Sequence, residues 1–210
     1  MTDDKETRLS ALHAAQNRLA TIVGDRFGQT VSFDSRSTTK TKEFVHFEAK
    51  FPDAPIELLD WLTIGSGLKH DLVPPFRFFD ANEVCSFYDA QIKFYEKSKN
   101  LWGSASVEWD DAIPNGDKDP KLCKRSSTWH EGWIPIADIE MDVLLVDIKP
   151  EQNGTLGQVV YAYASDYSLA VHGKSITHWL ERIAERYESK VFEEFNITPQ
   201  DLEMQTDEYL

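Results

Sequence analysis

Apolar and polar positions along this chain follow two rhythms, one near 3.6 residues and one near two. Leu9, Leu12, Leu19, Ile22 and Val23 recur at helical spacing, which predicts an amphipathic helix over 5–23, with Gly24 and Gly28 at its end. Val45, Phe47, Ala49 and Phe51 then alternate with His46, Glu48 and Lys50, a period of two that predicts a half-buried strand. Residues 52–55 (PDAP) break it and start a helix carrying Ile56, Leu59, Trp61 and Leu62, with Asp53 as candidate cap and Gly65-Ser66-Gly67 as terminator. Phe76, Phe78 and Phe79 predict a short strand. Asp80 and Glu83 stand at capping-box spacing before a helical stripe of Val84, Phe87, Tyr88, Gln91 and Tyr95 that reaches about residue 97.

The chain is organised around residues 133–160, which hold three short apolar runs separated by turn material. Residues 143–146 are all valine or leucine, so both faces of that strand are expected to be covered. Asp147, Pro150 and Asn153-Gly154 end it and turn the chain back. Residues 158–163 predict the next strand and Leu169, Ala170 and Val171 a last one. Ser175 can cap a final helix with the stripe Ile176, Trp179, Leu180, Ile183, Ala184, Tyr187 and Val191, and Thr198-Pro199 can open a further short one. The sum is an α+β fold with a mostly antiparallel central sheet and helices before and after it. Residues 1–195 are expected to form one domain with an N-terminal helical extension, and 196–210 an acidic C-terminal tail.

Charge narrows the functional classes. The 210 residues carry 22 basic and 36 acidic side chains, a net charge of −14, which disfavours direct nucleic-acid binding because phosphate contacts need a basic face. Two readings of the excess charge remain: solubility and self-repulsion in the cytosol, or an acidic surface that suits a basic protein partner and accelerates its capture. No apolar run approaches the roughly eighteen residues a membrane span needs. The polar, acidic start MTDDKETRLS does not read as a secretory signal, so a cytoplasmic location is expected.

Catalytic and metal chemistry find no recognisable pattern. Cys85 and Cys123 are far apart and read as two reduced thiols. The six histidines are scattered, and no histidine stands four residues after His130 to make a zinc motif of His130-Glu131. The acidic loop at 110–119 lacks the ligand spacing of a calcium loop. Asp147 is explained by its place at a strand end. The expectation is a protein without catalytic residues, cofactor or metal.

Several short motifs, taken in order, resemble those of the SUKH superfamily, which includes bacterial toxin-immunity proteins and fungal cell-wall assembly regulators. Leu58-Leu59-Asp60-Trp61-Leu62 with Gly65-Ser66-Gly67 is similar to the family's opening helix and glycine turn. Trp133-Ile134-Pro135-Ile136-Ala137 resembles its W-x-P-I-A, and Leu144-Leu145-Val146-Asp147 with Pro150 its strand ending in Asp and Pro. Gly154, Gly157, Gln158 and Val159 resemble its G-x-x-G-Q-V, and Ser175, Trp179 and Leu180 its closing helix. The resemblance runs over about 52–180 and implies a non-enzymatic binding protein, an immunity protein that neutralises a toxin domain by covering its active site. A nuclease toxin would offer a basic groove to an acidic inhibitor. The alternative is a regulatory scaffold of cell-wall synthesis or signalling. Charge and loop position nominate Asp110, Asp111, Asp138, Glu140 and Asp142 as partner contacts, with Trp129 as an aromatic anchor, on a monomer or weak dimer.

Overall fold

Five helices and five strands follow one another in the computed structural model, which describes residues 2–27, 41–65, 76–102, 129–139, 142–163 and 168–189. They are α1 (Thr2–Phe27), α2 (Lys42–Lys50), α3 (Ile56–Gly65), β1 (Arg77–Phe78), α4 (Ala81–Trp102), β2 (Trp133–Ile139), β3 (Asp142–Asp147), β4 (Gln158–Tyr163), β5 (Ser168–Gly173) and α5 (Ile176–Glu188). The strands lie in the sheet in sequence order, each antiparallel to the next. This is the expected α+β arrangement, with β3 at the centre.

β3 is central because its sequence tolerates no wet face. Leu144 and Val146 point into the larger core, with Ile134, Ile136, Val159, Tyr161 and the helical residues Leu12, Leu19, Trp61, Trp179 and Leu180. Val143 and Leu145 point the other way, into a smaller core with Trp129, Trp133 and Val160, onto which Tyr88, Ile92 and Tyr95 of α4 pack. Each fully buried leucine or valine contributes roughly 1.5–3 kcal/mol relative to exposure. A bulge between Pro135 and Ala137 interrupts the β2–β3 register, and the Ile136 carbonyl accepts from Phe79 N (2.9 Å). Pro135 has no N–H to give a ladder, so the irregularity falls beside it.

The segment read from its period of two as a strand, from Val45 to Phe51, is instead helix α2. Val45 is 52% exposed, whereas Phe44, Phe47 and Phe51 share one inward side at helical spacing. Thr41 caps the helix, its hydroxyl accepting from Phe44 N (3.2 Å). The phenylalanines meet α4: the Phe51 and Tyr88 rings are edge-on at 4.9 Å, and Lys50 pairs with Asp89. Two helix ends also differ from expectation. α1 continues through Gly24 to Phe27, and α3 starts on the carbonyl of Pro55, which accepts from Leu58 N and Leu59 N, leaving Asp53 upstream of the cap position.

Other local readings hold. Asp80 and Glu83 form the reciprocal capping box: Asp80 Oδ1 accepts from Asn82 N and Glu83 N, and Glu83 Oε2 accepts from Asp80 N. Ser175 caps α5 by accepting from His178 N (3.2 Å), and the predicted stripe from Ile176 to Tyr187 is buried. α1 lies along α5 and α3, fastened at its rim by Arg18 to Glu188 (3.0 and 2.5 Å) and His13 to Asp60 (2.7 Å).

The β3–β4 connection is held from inside. Asp147 and Gln158 are buried, at 0% and 1% exposure. Asp147 Oδ1 accepts from Lys149 N (2.9 Å) and Oδ2 from the Gln158 side-chain amide (3.1 Å), while Gln158 Oε1 accepts from Thr155 N (3.1 Å). Gly157 adopts φ +86°, open to glycine at little cost, and lies against Pro55. At the far end of β5, a Cβ on Gly173 would stand 2.7–2.9 Å from Trp179, so glycine there lets α5 close onto the sheet.

Candidate functional site

Antiparallel order places the β2–β3 and β4–β5 connections at one end of the sheet and the β3–β4 connection at the other. The first end carries the sequence-nominated carboxylates Asp138 and Asp142. They are near neighbours across the hairpin, since Asp138 pairs with Val143 and Ile139 with Asp142. Because side chains alternate, the two carboxylates leave opposite faces of the sheet. Asp138 lies on the α4 side with Val143. Asp142 lies on the side of the larger core, where its Oδ2 accepts from the Tyr161 hydroxyl (2.9 Å).

Asp138 is engaged by Arg77 of β1, its register partner. Arg77 donates through Nε to Oδ1 (2.9 Å) and through Nη2 to Oδ2 (2.8 Å), a bidentate fork. Its Nη1 reaches Glu83 Oε1 (3.1 Å), the carboxylate whose other oxygen closes the α4 capping box. The guanidinium also stands 5.0 Å from the Phe79 ring. The Asp138 hydrogen bonds push Arg77 above its ordinary pKa against the opposing effect of burial, with help from the Asp138 and Glu83 charges. Arg77 is 58% exposed, so solvent screens the pair and it contributes at most about 1 kcal/mol to folding. Its effect is positional: β1, β2 and the first turn of α4 meet at one cation.

The structure therefore brings Asp138 and Asp142 to one end and separates them from Trp129. Trp129 precedes β2 at the opposite end, roughly 20 Å away along a seven-residue strand. It is only 5% exposed, its ring edge-on to Trp133 at 6.0 Å and near Phe87 and Tyr88, so it braces the smaller core. Asp110, Asp111 and Glu140 lie outside the described residues, as does Cys123. Sequence reasoning missed Arg77 and the second role of Glu83. No local pattern ties Arg77 to a residue 61 positions away, although the capping box did single out Glu83.

Among the described residues, no group of histidine, cysteine, aspartate and glutamate side chains could hold a metal ion, and no helix is long and apolar enough to cross a membrane. Cys85 is a buried thiol whose pKa is raised, first by burial and further by Asp89, with Lys50 opposing.

A five-stranded antiparallel meander flanked by helices on both faces, with its motif residues spent on caps, turns and close contacts, defines an α+β scaffold of the SUKH type. The chain belongs to the SMI1 / KNR4 family (SUKH-1), whose model matches residues 40–182. This family is known for toxin-immunity-type and related roles, is generally non-enzymatic and typically acts by binding partner proteins. A comparison with curated proteins found no match to this chain. The matched span starts just before α2 and stops within α5, leaving α1 outside it.

Proposed function

We propose that this protein is a non-enzymatic, cytoplasmic immunity protein that binds a cognate toxin domain and neutralises it by covering its active site. Membership of the SUKH-1 family carries this reading. The net charge of −14 supports a toxin with a basic surface, such as a nuclease groove, because an excess of carboxylates steers such a partner in and competes with its substrate. We read residues 1–195 as one SUKH-like domain and 196–210 as an acidic tail.

The carboxylate end of the sheet is the proposed contact region, with Asp138 and Asp142 on its two faces and Glu140, Asp110 and Asp111 as further candidates. Arg77 tempers Asp138: a cation from the toxin must compete with it for the same two oxygens. Trp129, the aromatic-anchor candidate, stands at the opposite end of the sheet within the smaller core.

The test is capture of the toxin encoded beside this gene, from the native host and with purified components, followed by co-expression. Protection of the host, with an association rate that falls steeply with salt, is expected. A neighbourhood without a toxin, or co-expression without protection, refutes it. The family's SMI1 / KNR4 membership also favours a second reading, a regulatory scaffold of cell-wall synthesis or signalling. A gene neighbourhood of cell-wall functions and co-purification with synthesis enzymes would select it.

A further inference from the structure

α5 is divided along its length. Glu181, Glu185 and Glu188 face α1, where all three raise the pKa of Arg18. The opposite flank repeats basic residues every four positions: His178, Arg182 and Arg186, with Lys174 one step before the helix. This flank borders β5, the last strand of the sheet among the described residues.

In a chain with 36 acidic side chains, arginines readily find carboxylates. Arg18 and Arg77 each hold one in a two-bond fork. Arg182 and Arg186 pair with no carboxylate among the described residues. Arg182 spends Nη1 on the His172 carbonyl of β5 (2.8 Å), which fixes its guanidinium over the strand edge. Arg186 is half-buried, and its enclosed Nη1 donates to no atom among the described residues. Burial and the neighbouring Arg182 charge both lower its pKa, so the site disfavours a lone cation and would be relieved by an anion. His178 Nδ1 accepts from Lys174 N (3.2 Å), which leaves its Nε2 as the ring's donor.

We propose that the His178–Arg182–Arg186 flank of α5, beside the edge of β5, is a binding site for an oxyanion, a carboxylate or a phosphate. Arg186 is its principal donor, because the Nε–Nη2 edge of a guanidinium, on the side away from the enclosed Nη1, carries two parallel N–H groups at the spacing of two such oxygens. Arg182 is already oriented and adds charge, and His178 extends the row by one turn. The site has the opposite sign to the carboxylates Asp138 and Asp142 and uses none of their side chains. It therefore goes beyond toxin neutralisation and stands or falls independently of it.

The test is titration of the full chain with sodium phosphate and, separately, with sodium citrate at constant ionic strength, following the arginine side-chain Nε–Hε signals by NMR. A saturable shift of the Arg186 signal, absent from the carboxylate-paired Arg18 signal, is expected with at least one anion. Saturation by phosphate alone assigns a phosphate ligand, and saturation by citrate alone a carboxylate one. Arg186→Gln should weaken binding roughly tenfold or more, and Arg186→Lys, which keeps the charge and loses the fork, should restore only part of it. Unsaturable drift equal to that of Arg18, or binding unchanged in Arg186→Gln, overturns the proposal.

Discussion

Replacing Asp147 by alanine removes the acceptor at the centre of the β3–β4 connection. Two donors lose their partner: the backbone N–H of Lys149 and the side-chain amide of Gln158, the latter buried at 1% exposure. An unsatisfied buried donor costs about 1–3 kcal/mol, so Asp147→Ala should destabilise the fold by about 2–5 kcal/mol. For a chain of this length that lowers the melting temperature by roughly 5–15 °C. Urea unfolding followed by circular dichroism measures the global loss. Amide hydrogen exchange should show Lys149, Thr155 and Gly157 opening selectively, because the Gly157 N–H donates to the Asp147 carbonyl and the Thr155 N–H to Gln158. Asp147→Asn should cost less, since one oxygen remains for Lys149 N while the new amide opposes that of Gln158. The double variant Asp147→Ala/Gln158→Ala should cost less than the sum of its parts, as both side chains serve one network. A loss under about 0.5 kcal/mol, or strict additivity, would refute the inference that this pair holds the connection.

Gly173→Ala should destabilise by about 1–3 kcal/mol in the same unfolding assay, because its Cβ would meet the backbone as well as the side chain of Trp179 at 2.7–2.9 Å. An unchanged midpoint would show that α5 can shift away without cost. The Glu188 carboxyl, held below its usual range chiefly by hydrogen bonds from Arg18, should return toward that range in Arg18→Gln, as read by carboxyl-carbon NMR titration. A lowered folded pKa stabilises above the ordinary carboxylate range and loses that contribution as pH falls through the folded value, so the Arg18–Glu188 contribution should vanish in acid and persist at neutral pH. Cys85, buried and with a raised pKa, should be alkylated by iodoacetamide far more slowly in the folded than in the urea-unfolded chain, as mapped by peptide mass; equal rates would place the thiol at the surface.

Much of the candidate end of the sheet was legible as strands and turns, and little of it as interactions. The hairpin bearing Asp138 and Asp142 follows from the apolar runs on either side of it. That the two carboxylates take opposite faces follows from the register, with a bulge beside Pro135, which no reading of periodicity supplies. Arg77 showed no signal because its partner lies 61 residues away and joins it only through the β1–β2 pairing. Trp129 is nominated by the sequence as an aromatic anchor for a partner; in the fold its ring meets Phe87 and Tyr88 of the distant α4 as well as the nearby Trp133.

What the sequence determined by itself is whatever depends on neighbours within about a turn. The Asp80–Glu83 capping box, the Ser175 cap, the stripe of α5 and the two-faced burial of residues 143–146 all rest on such spacing, and all are present. The α+β class follows from their order. Tertiary structure decided the cases in which local signals tie or are silent. Residues 44–51 fit both periods, since Phe47 and Phe51 belong to either pattern. The helix wins because Phe44, Phe47 and Phe51 then share one side and α4 offers Tyr88 and Asp89 to receive Phe51 and Lys50. It likewise decided which cations meet carboxylates: Arg18 and Arg77 face acidic neighbours across helix and strand contacts, whereas Arg182 meets the His172 carbonyl of β5 and Arg186 is half-buried beside it with no carboxylate among the described residues. Coulombic pairing acts over a few ångströms in space, regardless of separation along the chain, and only the folded arrangement brings those charges within reach.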